Sequence, residues 1–265
     1  MTTKRLQTKD AQIAFQRLAE VVEELREKCP WDRKQTKESL RHLTIEETYE
    51  LADAILQNDY QEIKTELGDL LLHILFYNSL AAEKGKFSLA EMIQAQIDKL
   101  IRRHPHVYSD LQGASEAEIK ANWEQIKAKE KALNGSQQKL TLDGVPDNLP
   151  SIIKAYRMQE KAANVGFDWD KTEQVWDKVK EEIQEFETAP NPKEKEEEMG
   201  DLLFALINYC RHVGINPEDA LSKTNRKFKH RFEYIERSAH SQNRTLTDMT
   251  LAEMEDYWQE AKGVK

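Results

Sequence analysis

The sequence is poor in glycine, proline and cysteine, and it has no long uninterrupted apolar run. Its 265 residues include 9 glycines and 7 prolines, and the alternating β-branched runs that are typical of strands are almost absent. The two cysteines, Cys29 and Cys210, lie far apart, which excludes a disulfide framework and a Cys-x-x-Cys metal or redox pair. No run reaches the roughly 18 apolar residues that a membrane helix needs. We therefore expect an all-α protein without a membrane span.

The charge balance limits the classes of partner. Charged residues make up 33% of the chain, and the formal net charge is -9. Binding of nucleic-acid polymers depends on clustered Lys and Arg, so we expect no such polymer as a partner. A small anionic ligand stays open if a cation bridges it to the protein. The opening residues MTTKRLQTKD lead into no apolar signal-peptide core, so the expected location is cytoplasmic.

Apolar residues at three- and four-residue intervals predict several amphipathic helices. Over Tyr60–Glu83 they form one continuous stripe, and Gly85 ends that helix. Ser88 and Glu91 have the spacing of a capping box for the next helix, which stops at Pro105. Further helices are predicted over Gln12–Lys28, Ser115–Lys131, Leu149–Ala163, Glu173–Glu187, Lys193–Val213, Pro217–Ser238 and Leu251–Ala261.

The segment NGSQQKLTLDGVPDNLP interrupts the helical pattern in the middle of the chain. Its Gly, Pro, Asn and Ser residues favour turns and flexible connections over helix. We therefore predict a first helical module over residues 1–133, a linker over residues 134–150 and a second helical module over residues 151–265.

The two predicted modules carry the same motifs in the same order. The first has PWDRKQT, EETYEL, ELGDLLL, DKLIRRH and WEQIK, and the second has DWDKTEQ, EEIQEF, EMGDLLF, NRKFKHR and WQEAK. Glu47 and Glu182 are 135 positions apart, and Asp69 and Asp201 are 132 apart. Because five features keep their order at nearly constant spacing, chance similarity of acidic helices does not explain them. The pattern indicates a tandem duplication.

Each module has two pairs of carboxylates at helical spacing. In the first, Glu47 and Glu50 share one helix face, and Glu66 and Asp69 share a face of the next helix. If these helices pack antiparallel, four carboxylates converge, and such a cluster is costly to keep ionised without a cation. All-oxygen sites select hard ions, so we expect Mg²⁺, with Mn²⁺ as a substitute. The second module repeats the set with Glu182, Glu185, Glu198 and Asp201.

A glycine separates the two acids of each second pair. Gly68 lies within ELGD and Gly200 within EMGD, beside the apolar stripe of each helix. Glycine weakens a helix by about 1 kcal/mol relative to alanine. We therefore expect another group to approach the helix closely at both glycines, and we expect the neighbouring acids to be more than solvated surface residues.

The order Glu-Glu-x-x-Glu, spacer, Glu-x-x-Asp occurs twice, with CPWD near the start and RRHPHVY after the first copy. Over nearly the full length this resembles the MazG nucleoside triphosphate pyrophosphohydrolases. The resemblance implies four-helix-bundle cores completed by dimerisation, so the partner is a second copy of the chain. It also implies Mg²⁺-dependent hydrolysis of nucleoside triphosphates, ATP included and over a broad range of ribo and deoxy bases. The products would be monophosphate and pyrophosphate, formed by attack of water at the α-phosphorus.

The resemblance also assigns roles to individual residues, and it favours the second module as the main hydrolytic site. The residues given both catalytic and metal-binding roles are Glu182, Glu185, Glu198 and Asp201. By the repeat, metal binding extends to Glu47, Glu50, Glu66 and Asp69. The residues given nucleotide contacts are Lys178, Lys195, Lys227, Arg231 and Trp258.

Two other classes of function fit parts of the same pattern. A di-iron carboxylate bundle uses Glu-x-x-His pairs, whereas the pairs here are Glu-x-x-Glu and Glu-x-x-Asp. A non-catalytic helical protein that binds nucleotide or metal in a regulatory role would retain the same carboxylates in one or both modules. Because both modules have every motif, the residues alone do not separate turnover from binding.

Overall fold

The computed structural model describes residues 8–108 and 140–263, together with residues 119, 123, 126 and 130. Within these residues the regular secondary structure is helical and contains no strand, as predicted. The chain divides into two compact units, Met1–Ser136 (unit 1) and Gln137–Lys265 (unit 2). The predicted helix Ser115–Lys131 lies outside the described residues except for the four isolated positions, and residues 134–139 of the predicted linker lie outside them as well.

Unit 1 is built around an antiparallel pair of long helices. Its helices are α1 (Lys9–Lys28), α2 (Lys37–Gln57), α3 (Tyr60–Glu83), α4 (Leu89–Arg103) and the short α5 (Pro105–Tyr108). Only Asn58 and Asp59 connect α2 to α3. Asn58 adopts the left-handed conformation, with φ 57°, and Asp59 caps α3 by accepting hydrogen bonds from two backbone N–H groups of its first turn. This tight connection folds α3 back along α2.

The core of unit 1 joins α1 to the α2–α3 pair. Its buried members are Val22, Leu40, Leu75, Phe76 and Leu80. Arg26, near the end of α1, pairs with Glu83 at the end of α3 over 2.8 Å. Its guanidinium also donates to the backbone carbonyls of Asp32 and Gln35. These contacts hold the loop that contains the CPWD motif against the helices.

Unit 2 repeats the antiparallel pair. Its helices are α6 (Ser151–Ala163), α7 (Thr172–Thr188), α8 (Pro192–His212), α9 (Pro217–Ser241) and α10 (Leu251–Ala261). A short loop, Ala189–Asn191, reverses the chain between α7 and α8, and the Asn191 side chain caps α8. Val175 and Val179 of α7 are fully buried, and a second apolar cluster lies between α9 and α10.

Most predicted helix ends agree with the structure to within two residues, and the differences of three are the start of α1, at Lys9 instead of Gln12, and the end of α9. Helix α6 begins at Ser151 instead of Leu149 because Leu149 precedes Pro150, and a residue before proline is disfavoured in the helical region. Helix α9 continues to Ser241 instead of Ser238 because Ala239 is buried against Met249, which holds the last turn in place. Within the described ranges, none of the helices has the combined length and apolarity of a membrane span.

Candidate functional site

In unit 1 the structure brings together three of the four predicted carboxylates. One oxygen each of Glu47, from α2, and of Glu66 and Asp69, from α3, lies within 4.8 Å of the others. Glu66 is only 6% exposed. Glu50 is exposed and is not a member of this group, although its negative charge acts on both Glu47 and Glu66.

The unit 1 carboxylates disfavour one another's ionised forms. Burial raises the pKa of Glu66 above its ordinary value, and a hydrogen bond with Glu47 and the charges of Glu50 and Asp69 raise it further. Burial also raises the pKa of Glu47, with a smaller opposing effect from the hydrogen bond to Glu66. Burial and the Glu47 contact therefore both raise the pKa of Glu66, whereas that contact opposes the rise for Glu47. The Oε2 atom of Glu66 is buried without a hydrogen-bond partner in the part of the chain that the structure describes.

Unit 2 forms the equivalent group from α7 and α8. Oxygens of Glu182, Glu185 and Glu198 lie within 4.8 Å of one another, and Glu182 is 5% exposed. Burial raises the pKa of Glu198, and the charges of Glu185, Asp201 and Glu182 add to the effect. Asp201 is exposed and lies outside the group of three, whereas Glu185 is exposed and belongs to it, so each unit leaves a different one of its four predicted carboxylates out of its group.

Both groups fit a hard divalent cation. They present carboxylate oxygens alone, which are the ligands that Mg²⁺ and Mn²⁺ prefer. Burial and mutual repulsion raise the pKa of one or more members of each group, which is the conflict that a bound cation relieves. The Oε2 atom of Glu66, which has no hydrogen-bond partner among the described residues, is available as a ligand for such a cation. Of the predicted ligands, Glu50 and Asp201 would need to turn inward from their exposed positions to join.

Without divalent ions, the thermal stability of the protein should fall as the pH rises above about 4.5. This is the ordinary pKa of a glutamate, and the pKa values of Glu47, Glu66 and Glu198 are raised above it. A carboxyl group with a raised folded-state pKa contributes stability that is complete below its unfolded-state pKa and is lost as the pH rises through the folded-state value. Mg²⁺ binds the ionised form, so it should stabilise the protein progressively more over the same range. At a hundred times its Kd the ion contributes about 2.7 kcal/mol, which corresponds to roughly 5 to 10 °C in Tm.

Melting curves of ion-free protein, with and without Mg²⁺, check this expectation. The two Tm values should coincide near pH 4.5 and separate at higher pH. The paired variant Glu66→Gln with Glu198→Gln, which removes one charge from each group, should narrow the separation. A difference between the two curves that stays constant with pH would contradict the assignment of these carboxylates to metal binding.

Lys178 places a positive charge next to the unit 2 carboxylates. Its Nζ lies 2.6 Å from Glu181 and 2.7 Å from Glu182, and hydrogen bonds to these two carboxylates raise its pKa. In unit 1 the residue four positions before the first glutamate of the group is Leu43, which packs against the apolar core. Each unit therefore has its own carboxylate group, but the position that holds Lys178 in unit 2 holds the uncharged Leu43 in unit 1.

The other predicted nucleotide contacts form two sets. Lys195, on the same helix as Glu198, lies with its Nζ 5.0 Å from the centroid of the Phe186 ring. Arg231 lies 5.3 Å from the centroid of Trp258, whose ring also packs against the α9–α10 cluster, and Lys227 is exposed one turn earlier on α9. Among the described residues, no hydrogen bond or ion pair joins this α9–α10 set to the carboxylate group.

The predicted close approach at the two glycines is wrong. A Cβ atom added at Gly68 or Gly200 would meet no atom within 4 Å. The helices of each pair meet through neighbouring residues such as Glu66 and Leu75, which are buried, whereas both glycines lie on an exposed edge. The motif glycines therefore leave open space beside the carboxylates instead of admitting a neighbouring backbone.

Comparison with known proteins identifies the family. Residues 35–108 match the model of the MazG nucleotide pyrophosphohydrolase domain, and residues 156–228 match the phosphoribosyl-ATP pyrophosphohydrolase model. Each unit thus matches a pyrophosphohydrolase family, and the two match different ones.

Several relatives are similar over most of the chain. The nucleoside triphosphate pyrophosphohydrolase/pyrophosphatase MazG of Thermotoga maritima is 42% identical over 257 residues, which cover 96% of this chain and 98% of that protein. The nucleoside triphosphate pyrophosphohydrolase of Escherichia coli K12 is 42% identical over 254 residues, covering 93% and 96%. The uncharacterized protein YabN of Bacillus subtilis is 44% identical over 254 residues, which cover 94% of this chain and 51% of that protein. Identity of this extent, with the paired helical units and their carboxylate groups, shows that the chain is an enzyme of the MazG family of nucleoside triphosphate pyrophosphohydrolases.

Proposed function

We propose that the chain hydrolyses nucleoside triphosphates to monophosphate and pyrophosphate in a Mg²⁺-dependent reaction, and that unit 2 is the principal site of turnover. The observation that carries this proposal is the contact between Lys178 and the buried Glu182, beside a group of three carboxylates. Cleavage of a phosphoanhydride needs both negative ligands for a cation and positive groups for the phosphate oxygens. Unit 1 has the carboxylates that could hold a cation, but at the position of Lys178 it has Leu43 and so no positive group for the phosphate oxygens.

The roles of the unit 2 residues follow from their charges. Glu182, Glu185, Glu198 and Asp201 would hold the cation, which when bound neutralises charge on the phosphate oxygens. Lys178 would exchange part of its contact with Glu181 and Glu182 for a phosphate oxygen. Lys195 and the α9–α10 set of Lys227, Arg231 and Trp258 would contact the rest of the nucleotide. Water would attack the α-phosphorus, with pyrophosphate as the leaving group.

We propose that ATP belongs to a broad range of ribo and deoxy substrates and that the enzyme acts in the cytoplasm. The proposal of breadth rests on the wall around Lys178 and Glu182, which is mainly apolar and whose additional charged residues include Asp168 and Arg211, paired with each other. Apolar and aromatic surfaces accept every base because each base has a π face.

A homodimer is part of the proposal. Helices of both units carry large apolar side chains that stay exposed in the single chain, where a folded core would bury them. The larger examples are Tyr49, Leu67, Ile74, Trp176, Leu203, Phe204 and Phe228, each at least 43% exposed. A second copy that covers these faces would complete both helical cores. Light scattering should therefore give the mass of two chains, and a monomer at micromolar concentration would contradict the proposal.

For unit 1 we propose binding of metal or nucleotide without turnover as the second function. Leu43 favours this role, because it replaces Lys178 with an apolar residue that packs into the core. Unit 1 nevertheless retains its carboxylate group. A regulatory or stabilising site of this kind would keep the fold and the metal ligands while losing the positive contact to phosphate.

Product analysis tests the reaction. The protein is incubated with ATP, GTP, CTP, UTP and the deoxy forms, with and without Mg²⁺, in water enriched in ¹⁸O. We expect monophosphate and pyrophosphate with Mg²⁺ only, and ¹⁸O in the monophosphate, because attack at the α-phosphorus leaves the new oxygen there. Label in pyrophosphate would place the attack at the β-phosphorus. Diphosphate and phosphate as products, or hydrolysis without a divalent ion, would contradict the proposal.

A further inference from the structure

Unit 2 contains a cavity of about 470 Å³ beside its carboxylate group. Glu182 and Lys178 form part of the wall, so the cavity is continuous with the candidate site. Most of the remaining wall is apolar and includes Met158, Trp169 and Phe204. The volume lies within the roughly 300–1,000 Å³ typical of small-molecule sites, and an apolar wall with a few polar groups is their usual chemistry.

Gln159, on α6, contributes an unpartnered acceptor to this wall. The side chain is 7% exposed, and its Nε2 donates to the backbone carbonyl of Phe204 over 2.8 Å. Because a carbonyl oxygen only accepts, this bond fixes the orientation of the amide and leaves Oε1 as the acceptor. Oε1 is buried and has no hydrogen-bond partner among the described residues. A buried acceptor of this kind is destabilising unless a ligand or a bound water supplies a donor.

Asn208, on α8, supplies a second amide. Its Oδ1 accepts from Nε of Arg211 over 3.0 Å, and Arg211 is itself held by Asp168. An arginine nitrogen only donates, so this bond fixes the Asn208 amide and leaves its Nδ2 as a donor. Asn208 is also part of the cavity wall. These two amides therefore add one acceptor and one donor to a wall whose other members are mostly apolar and include the paired Asp168 and Arg211.

The duplicated unit shows that this space is not an inevitable feature of the fold. The positions equivalent to Ala205 and Asn208, 132 residues earlier, are His73 and Phe76. Both are buried, and Phe76 belongs to the apolar core against which Leu43, the counterpart of Lys178, also packs. Unit 1 thus places larger side chains, and an apolar residue in place of the lysine, where unit 2 has a cavity with two amides.

We propose that this cavity takes the nucleobase of a nucleoside triphosphate and that Oε1 of Gln159 accepts an N–H of the base. This inference rests on the proposed function, because it requires the triphosphate to lie at Glu182 and Lys178. Flat apolar walls suit a base, and amides suit the donors and acceptors of its pairing edge. Each of the four common bases carries an N–H beside an acceptor on that edge, so the pair of amides binds bases as a class and discriminates against a base without an N–H there.

A comparison of two ligands and one variant tests the role of Gln159. The ligands are α,β-methylene-ATP, which resists cleavage, and the same analogue of purine riboside triphosphate, which lacks the 6-amino group. With Mg²⁺, calorimetry on the wild-type protein should give a Kd about tenfold to a hundredfold lower for the adenine compound. Gln159→Met keeps the side-chain volume and removes the acceptor, so it should bind both compounds equally. A wild-type protein without this preference would overturn the proposal.

The same comparison separates recognition from packing. Gln159 also bonds the carbonyl of Phe204, so a purely structural role would weaken binding of both ligands by the same factor in Gln159→Met and leave their ratio unchanged. That result too would overturn the proposal, because only contact with the base makes the effect of the substitution depend on the 6-amino group.

A cavity-filling variant gives an independent measurement. Ala205→Leu should weaken binding of α,β-methylene-ATP at least about tenfold, and it should leave the Kd of Mg²⁺-tripolyphosphate, which has no base, unchanged. The control is Ala220→Leu on the exposed face of α9, which should change neither. Equal loss for both ligands in Ala205→Leu would overturn the proposal.

Turnover of ATP is followed in parallel to separate this proposal from the proposed function. Cleavage of ATP without any dependence of binding on Gln159 would refute only the base-binding role of the cavity. Gln159-dependent binding without cleavage would refute only the proposed function.

Discussion

Glu198→Gln is expected to lower kcat/KM for nucleoside triphosphates by about a thousandfold, the scale on which loss of one essential electrostatic group acts. Glu198 is one of the three carboxylates whose oxygens lie within 4.8 Å of one another, and glutamine preserves its shape while removing its charge. The loss should not arise from unfolding. Burial and the charges of Glu185, Asp201 and Glu182 raise the pKa of Glu198, so its charge is unfavourable in the ion-free protein, and the variant should melt at or above the wild-type temperature above pH 5.

Two further variants make this result specific to the unit 2 site. Glu66→Gln changes the equivalent residue of unit 1 and should retain most of the turnover, since we propose that unit 1 only binds. Glu196→Gln changes an exposed residue on α8, outside the group of three, and should have no effect. If Glu66→Gln is as damaging as Glu198→Gln, unit 1 takes part in turnover. Full activity of Glu198→Gln at saturating Mg²⁺ would refute the carboxylate assignment.

The helical architecture follows from local sequence features, which is why it could be predicted. Three- and four-residue spacing of apolar residues locates each helix, and residues such as Ser88 with Glu91 end or begin one by chemistry that is local to the turn. The convergence of Glu47 with Glu66 also follows, because a connection of only Asn58 and Asp59 forces the two helices to run antiparallel. Period and connection length together determine which faces meet.

Properties that depend on the neighbouring helix could not be predicted in the same way. Spacing places Glu50 on the face of Glu47 and Asp201 on the face of Glu198, yet both are exposed, because depth along a helix pair depends on the side chains opposite. For the same reason the glycine prediction was wrong. The bond between Gln159 and the carbonyl of Phe204 spans 45 positions between α6 and α8, and no periodicity within either helix encodes it.

The contact of Lys178 with Glu182 is an intermediate case. Four-residue spacing on a helix predicts such pairs, so the ion pair is within reach of the sequence, and the comparison with Leu43 is available from the repeat. The inference that Lys178 has a functional role depends on two structural facts. Glu182 is almost fully buried, and Lys178 and Glu182 line the same cavity. A surface pair at the same spacing would contribute little.

Lys178→Leu, which introduces the unit 1 residue into unit 2, should lower kcat/KM by about a hundredfold to a thousandfold even at saturating Mg²⁺. A charged donor aimed at oxygens that gain negative charge is worth this much in a site shielded from water. The control is Lys180→Leu, two residues along α7, where the lysine is 59% exposed and pairs with Asp177. That variant should retain wild-type kcat/KM, so a general effect of removing a positive charge from α7 is excluded.

A Mg²⁺ titration separates the two roles that Lys178 could have. Lys178 lies 2.7 Å from the buried Glu182, and without it that carboxylate is costly to keep charged, so weaker Mg²⁺ binding is expected in the variant as well. If the lysine acts only by supporting Glu182, excess Mg²⁺ will restore kcat/KM to the wild-type level. If it also contacts the triphosphate, as we propose, the loss will persist at every Mg²⁺ concentration, because a cation held by the carboxylates cannot take the position of the Lys178 ammonium group beside the cavity.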